Sequence, residues 1–280
     1  MKKTLIYHLY VCDDIETNVC YNIHKECLKI YSNVFDNVKF IISMDDLTDK
    51  ILKQKAMDFI NDIGYSCETD ISIRQNTCLC EVDTLNREVL DFDNKNEEYI
   101  FFCHSKGVTN FRDNIYNGHN LYSIYKWITV MYFYNLNFIE ELEKHFIGKQ
   151  CVSEVMYGTL LLVSDNIHRA LSTSNLHFSG TFYWFNKQFY KNLVLSNRLF
   201  NFKAVNRQDA EMMPGYLFDY FGYGRGIKTH NDVSFILEDF DGKFYSASED
   251  EWDYIINALG DKESFNKFFN NINEKINFNI

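Results

Sequence analysis

The sequence predicts an α/β fold: a mostly parallel sheet flanked by helices, with a pair of helices at its C-terminal end. Two observations carry this expectation. Over the first 110 residues, β-branched and aromatic runs alternate with segments of helical apolar spacing, giving strand, helix, strand, helix, strand. Composition is the second: 46% hydrophobic and 17% aromatic residues over 280 positions supply a large core. A single proline, Pro214, argues against linkers and low-complexity tracts.

Residues 4–12, TLIYHLYVC, form the first strand, closed by Asp13 and Asp14. In IETNVCYNIHKECLKIY, apolar positions 19, 23, 27 and 30 share one helical face. NVKFIISM (37–44) is the second strand, ended by Asp45 and Asp46. Both acidic pairs stand where carboxylates favourably meet a helix N-terminus. The next helix turns Leu47, Ile51, Leu52, Met57, Phe59 and Ile60 inward before Gly64 stops it. Residues 71–83 read as one or two short strands and DTLNREVLDFDN as a short helix, ahead of EYIFFCH, the most apolar strand. Residues 120–146 read as one long helix, aromatic nearly all round and therefore deeply buried. QCVSEVM and GTLLLVS add strand candidates. Ser248-x-x-Glu251 is a capping box opening a helix with Trp252, Ile255, Ile256 and Leu259 on one face. Apolar residues at 265, 268, 269, 272 and 276 mark a second amphipathic helix. The expected division is a domain over 1–235 and a helical extension over 236–280 packed on it, whose apolar faces could alternatively pair two copies as a homodimer.

A net charge of −11 disfavours a reader of duplex nucleic acid, which needs a basic face. The 187–207 stretch is a local exception, with Lys187, Lys191, Arg198, Lys203 and Arg207; it is either a solvated helix and loop or an anion site. The eight cysteines form no C-x-x-C pair, which disfavours a zinc ribbon. Cys78 with Cys80 on a strand, and Cys20 with Cys27 on a helix, read as small buried apolar residues. The N-terminal apolar run is too short for a signal peptide, and no uninterrupted window of about 18 apolar residues exists. The expectation is a cytoplasmic protein with reduced thiols. Walker, G-x-G-x-x-G and G-x-S-x-G motifs are absent, which excludes P-loop, dehydrogenase and α/β-hydrolase readings.

Parallel sheets collect ligands beyond the carboxyl ends of their strands. His8 in the first strand, Asp45 after the second and His104-Ser105-Lys106-Gly107 after the central one therefore converge on one rim. An imidazole, a hydroxyl, an ammonium and a glycine in succession suit an anion. Asp91-Phe-Asp93 is a D-x-D by spacing, although it follows a helix rather than a buried strand. In HFSGTFYWFN (177–186) four consecutive aromatics make either a wholly buried strand or a face that stacks on sugar rings. Arg207 and Glu211 are four apart on one helical face, as a surface pair or as a base at a site rim. His230 is a lone histidine, a pattern more often structural than ligating.

IYHLYV, FFCHSKGVTN, YKWITVMYFY, HFSGTFYWFN and RQDAE, in that order over residues 4 to about 218, carry a resemblance. They resemble a group of glycosyltransferase-like proteins of bacteria, viruses and algae. In that group a first strand ends in yH, H-[ST]-K-G follows a central strand, and then come a Trp-containing helix, H-[FY]-S-G-N-F-W-W and R-x-x-A-E. The resemblance implies a GT-A-like, Rossmann-like fold with a mixed, mostly parallel sheet. It implies a nucleotide-diphosphate-sugar donor as co-substrate and a hydroxyl acceptor on a glycan, a protein or a modified nucleic acid. It assigns donor binding to His8, His104, Ser105, Lys106, Gly107 and Arg207. Sugar or acceptor binding falls to His177, Ser179, Gly180, Thr181, Tyr183 and Trp184, and the general base is Glu211. HSK stands where many such enzymes carry a metal-binding D-x-D, so Mn2+ or Mg2+ use is open, with His104, Asp91, Asp93 and His230 as candidate ligands. Thr181 replaces the usual Asn and Tyr183 the first Trp, positions expected to set substrate preference. The rival reading is a non-catalytic glycan- or protein-binding module on a degenerate form of the same fold.

Overall fold

The computed structural model describes residues 2–77, 80–91, 99–109, 121–147, 156–163, 176–196, 201–205, 213, 227–236 and 244–277. The first half is built as expected, from strands and helices in alternation. β1 (Lys3–Val11), α1 (Val19–Ile30), β2 (Asn37–Met44), α2 (Lys50–Ile63) and β3 (Glu68–Gln75) make two parallel crossovers. A short helix α3 (Cys80–Thr84) runs into a π-turn (Leu85–Val89), and β4 (Tyr99–His104) then pairs with the far side of β1, again parallel.

Two helices follow, α4 (Leu121–Leu136) and α5 (Ile139–Ile147). Short strands β5 (Met156–Gly158), β6 (Leu161–Val163), β7 (Leu176–Phe178) and β8 (Tyr183–Asn186) come next, and α6 (Lys187–Leu195) after them. β9 (Ile227–Thr229), β10 (Ser234–Ile236), α7 (Glu249–Leu259) and α8 (Lys262–Ile276) complete the described elements. Seven strands form one sheet in the order β3-β2-β1-β4-β8-β5-β9, and β10-β6-β7 form a second. Within the large sheet only β8 runs against its neighbours, so the sheet is mixed and mostly parallel, a Rossmann-like α/β arrangement.

Both faces of the sheet are covered, which is why its strands read as nearly continuous apolar runs. Leu5, Tyr7, Leu9, Phe40, Ile42, Phe101 and Cys103 share one core with residues of α1, α2, α4, α7 and α8. Ile6, Ile41, Ile100 and Phe102 point the other way, into a smaller core with Val82 of α3, Leu85 and Val89 of the π-turn, and Tyr190 of α6.

Four local expectations are corrected. The long helix over 120–146 is two helices, because the chain turns at Asn137–Phe138 and Phe138 folds back to stack on Tyr134 and cover Phe133. The strand signal at 71–83 resolves into β3, which starts earlier, and α3, so Cys80 opens a helix; Cys78 lies outside the described residues. α2 is capped by Asp49, whose carboxylate accepts the Leu52 N–H at 2.8 Å, rather than by Asp45 or Asp46. Asn18 likewise caps α1, and Asp14 instead accepts from the Asn18 amide at 3.0 Å.

The capping box of α7 forms as read: Ser248 Oγ accepts the Glu251 N–H at 3.3 Å, and Glu251 accepts the Ser248 N–H at 2.5 Å. Trp252, Ile255, Ile256 and Leu259 of α7, with Phe265, Phe268, Phe269 and Ile272 of α8, are buried in the larger core. The apolar faces of both helices are thus covered by the same chain. Among the described residues no helix is long and apolar enough to cross a membrane.

Candidate functional site

β1 and β4 lie side by side with His8 opposite His104, so both imidazoles leave the same face of the sheet at its carboxyl edge. α3 covers that face. Thr84 Oγ1 is 2.9 Å from His8 Nδ1, and Glu81 Oε2 lies 3.8 Å from His104 Nδ1. Burial lowers the His8 pKa to about 4 in spite of the nearby Glu81 charge, so this ring is neutral at pH 7. It brings shape and hydrogen bonding to the site, not charge.

His104 Nε2 is 2.9 Å from the Gly180 carbonyl oxygen. A carbonyl oxygen only accepts, so this nitrogen carries hydrogen and is engaged in joining the HSKG and HFSG segments. Ser105 extends the β1–β4 ladder: its N–H donates to the His8 carbonyl at 3.0 Å, and its hydroxyl accepts the Tyr10 N–H at 3.0 Å. Lys106 then closes a tight turn, its N–H donating to the His104 carbonyl at 2.7 Å. Its half-buried side chain places the ammonium 4.9 Å from the centroid of the Trp127 ring on α4.

Two glycines bring these segments down onto α4. Gly107 has φ +86°, and a Cβ there would lie 2.9 Å from Ile124 Cγ2. Gly180 has φ +81°, and a Cβ there would lie 2.5 Å from Met131 Sδ and 3.3 Å from Trp127 Cζ2. Trp127 is therefore the common floor of the HSKG and HFSG turns, which explains why a tryptophan belongs in that helix. Thr181 follows Gly180 with φ +59°, a strained conformation for a β-branched residue. Its hydroxyl and that of Tyr183 are buried without a hydrogen-bond partner among the described residues. Burial, and secondarily the charge of Glu81, raises the Tyr183 phenol well above its ordinary pKa.

Beside this sheet edge, the ends of β1, β2 and β3 carry a second polar group. The Tyr10 hydroxyl donates to Asp45 at 3.0 Å, Asn76 donates to the same carboxylate at 2.6 Å, and Ser43 donates to Asn76 at 3.1 Å. Asp45 thus stands just past the carboxyl end of β2, tying the ends of β1 and β3 to it. Glu81 and Thr84 were missed by sequence reading. Their separation of three residues would have shown one helical face, had the helix expected from Asp83 been started at Cys80.

Several expected site residues lie elsewhere. Trp184 is fully buried on the opposite face of the sheet from Tyr183; its indole donates to the Asn135 carbonyl at 2.8 Å, and its ring packs against Phe35 and Phe101. The sugar-stacking expectation for Trp184 is corrected to a core role, because strand alternation sends consecutive aromatics to opposite sides. His230 is buried against Phe138 and Tyr134, with Nδ1 3.1 Å from the Tyr157 hydroxyl; burial lowers its pKa. It follows β9, three strand spacings from β4, or roughly 14 Å, so it cannot share a metal ion with His104. Asp91 is exposed at the end of the π-turn segment, and Asp93, Arg207 and Glu211 lie outside the described residues. His177 and Ser179 stand in β7 and the turn after it, and only their backbone is described. Among the described residues no group of three or more His, Cys, Asp or Glu side chains could hold a metal ion.

No protein-family model matches the chain, and no curated protein matches it. A solved structure titled core-mannan synthase A from Aspergillus fumigatus, in its Mn/GDP form, is similar at 8% identity and a TM-score of 0.30, covering 83% of this chain and 73% of that one. A likeness that faint carries no argument about fold or chemistry.

Proposed function

We propose that the chain is a glycosyltransferase that moves a sugar from a nucleotide-diphosphate donor to a hydroxyl acceptor at the carboxyl edge of β1 and β4. One observation carries the reading. His104 of HSKG and Gly180 of HFSG, 76 positions apart, are joined by a hydrogen bond, and both turns rest on Trp127. Three motifs that are each weak alone meet at the sheet edge where such folds take ligands.

Lys106 supplies a positive charge where the leaving diphosphate would develop its negative one. His8 and His104 shape the floor behind it. The Tyr10–Asp45–Asn76 group, on the neighbouring strand ends, faces the nucleoside portion. Thr181 and Tyr183, both buried, shape the HFSG turn from within rather than meeting the sugar, and Arg207 meets phosphate or orients Glu211. In the reaction the acceptor oxygen bonds to the anomeric carbon, the bond from that carbon to the diphosphate oxygen breaks, and Glu211 takes the acceptor proton. A base on the face opposite the leaving group fits inversion of configuration. The described residues offer no ligand set for a divalent ion, and no step is assigned to one.

The non-catalytic alternative needs the aromatics of 178–185 as an open face. Phe178, Phe182, Tyr183, Trp184 and Phe185 are all buried, which leaves that reading without its surface.

Thermal shifts with UDP, GDP, CDP and TDP, each with and without Mn2+, test the proposal. Binding to the folded state alone stabilises by about 2.7 kcal/mol at a hundredfold excess over Kd. The expected result is a shift selective for one nucleotide and clearly reduced in Lys106→Ala. Glu211→Gln should keep that shift and lose turnover by a factor of about 100 or more. No shift with any nucleotide overturns the donor-site reading.

A further inference from the structure

His24 lies on α1 with none of its surface exposed, in the core layer opposite α3. Its Nε2 is 2.8 Å from the Lys106 carbonyl oxygen, and its Nδ1 is 2.9 Å from the Tyr132 hydroxyl on α4. The carbonyl can only accept, so Nε2 bears the hydrogen. Nδ1 is then bare, and Tyr132 must donate to it. The result is a directed chain, Tyr132 to His24 to Lys106, that uses both nitrogens of a neutral ring. Burial lowers the His24 pKa to about 4, partly opposed by the Lys106 carbonyl, so the tautomer persists at neutral pH.

The contact falls where the turn needs it. Past the end of β4, the Lys106 carbonyl has left the strand ladder, and a buried acceptor without a partner is costly. Gly107 follows with φ +86° and, lacking a Cβ, tolerates either orientation of the peptide before it. Nothing in the glycine itself prevents a flip that would carry the Lys106 side chain away from Trp127. The imidazole of His24 supplies the missing constraint. It is also coupled to the second motif: Phe182 stacks on His24 with centroids 6.2 Å apart, and packs on His104 at 6.0 Å and Tyr132 at 5.2 Å.

We propose that His24 is a positioning residue, which locks the Lys106–Gly107 peptide in the orientation that keeps the Lys106 ammonium over Trp127 and toward the donor diphosphate. The inference rests on the donor-site reading and deepens it.

Two readouts on the full chain test it: amide hydrogen exchange over 104–109, and affinity for whichever of the four nucleoside diphosphates binds. His24→Phe keeps a ring but removes both hydrogen bonds. It should speed exchange in 104–109, leave β2 unchanged, and weaken binding about tenfold, as expected when a charged contact is misplaced. His24→Gln retains an amide donor for the carbonyl and should restore most of the affinity. His24→Phe combined with Lys106→Ala should bind no more weakly than Lys106→Ala alone, because His24 acts through Lys106. A role confined to general stability would instead give additive losses. Where His24→Phe does not fold, His24→Leu, which likewise removes both hydrogen bonds and leaves the Tyr132 hydroxyl its contacts with Tyr7 and Cys103, is read in the same way.

Unchanged exchange, unchanged affinity in a folded variant, or additivity in the double variant overturns the inference while the donor site stands. Wild-type protein that binds none of the diphosphates overturns the donor-site reading and this inference together.

Discussion

Gly180 sits where two constraints coincide: a left-handed φ of +81° and a Met131 sulfur 2.5 Å from where a Cβ would stand. Gly180→Ala should therefore lose about 2–4 kcal/mol, combining left-handed strain with overpacking. Urea unfolding of the two proteins checks this; a loss under about 0.5 kcal/mol would mean the turn relaxes freely. The buried histidines make a different prediction. Burial holds His8 and His24 near a pKa of about 4, against 6.5 for an open imidazole. Between those values the unfolded chain binds more protons than the folded one, so stability is complete above pH 6.5 and falls as pH drops toward 4. The slope is at most about 1.4 kcal/mol per pH unit for each ring. Denaturant midpoints from pH 7 to 4.5 should decline, and less steeply in His8→Asn; a slope unaltered by that substitution would contradict a buried neutral His8. None of this burial was readable from His8 or His24 themselves, since a histidine in an apolar run looks the same whether it meets water or a tyrosine.

The element boundaries that came through most cleanly are those with a local chemical stop. Gly64 ends α2 in the left-handed conformation, and Ser248 with Glu251 opens α7 as a capping box. Ser248→Ala should cost about 1 kcal/mol, the ordinary value of such a cap, with no effect on nucleotide binding. Guanidinium unfolding and the thermal-shift panel measure the two halves of that statement separately. Boundaries set by tertiary contact were misread. α4 and α5 look like one helix because the apolar pattern runs on; only the packing of Phe138 against Tyr134 and Phe133 shows why the chain breaks there. The start of α3 was misread as strand because its five residues are too few to show a period; the expected helix began at Asp83, so Thr84 fell in a helix while Glu81, its partner over the two histidines, did not.

On the scale of the molecule, the C-terminal helices bury their apolar faces in the main core. Phe265 and Phe268 pack on Phe133, Phe268 on Tyr31, and Lys126 lies 3.7 Å from the Phe269 ring centroid. A chain cut after residue 243 would bare these faces, along with Trp127's own helix, and should fail to give a cooperative unfolding transition. A soluble fragment that melts sharply would show instead that residues 1–243 fold independently of the two helices. The sequence by itself determined the α/β class, the parallel first half, the Gly64 stop of α2 and the capping box of α7, and that His8, Asp45 and the HSKG run stand toward the carboxyl ends of their strands. Those follow from side-chain periodicity and backbone chemistry, which act between near neighbours. Only the tertiary structure decided that Trp184 belongs to the larger core and Tyr183 to the smaller one across the sheet, that His104 is tied to Gly180, and that His24 holds the Lys106 carbonyl. Each of those turns on which face of a strand or helix meets which partner across tens of residues, and no local pattern carries that information.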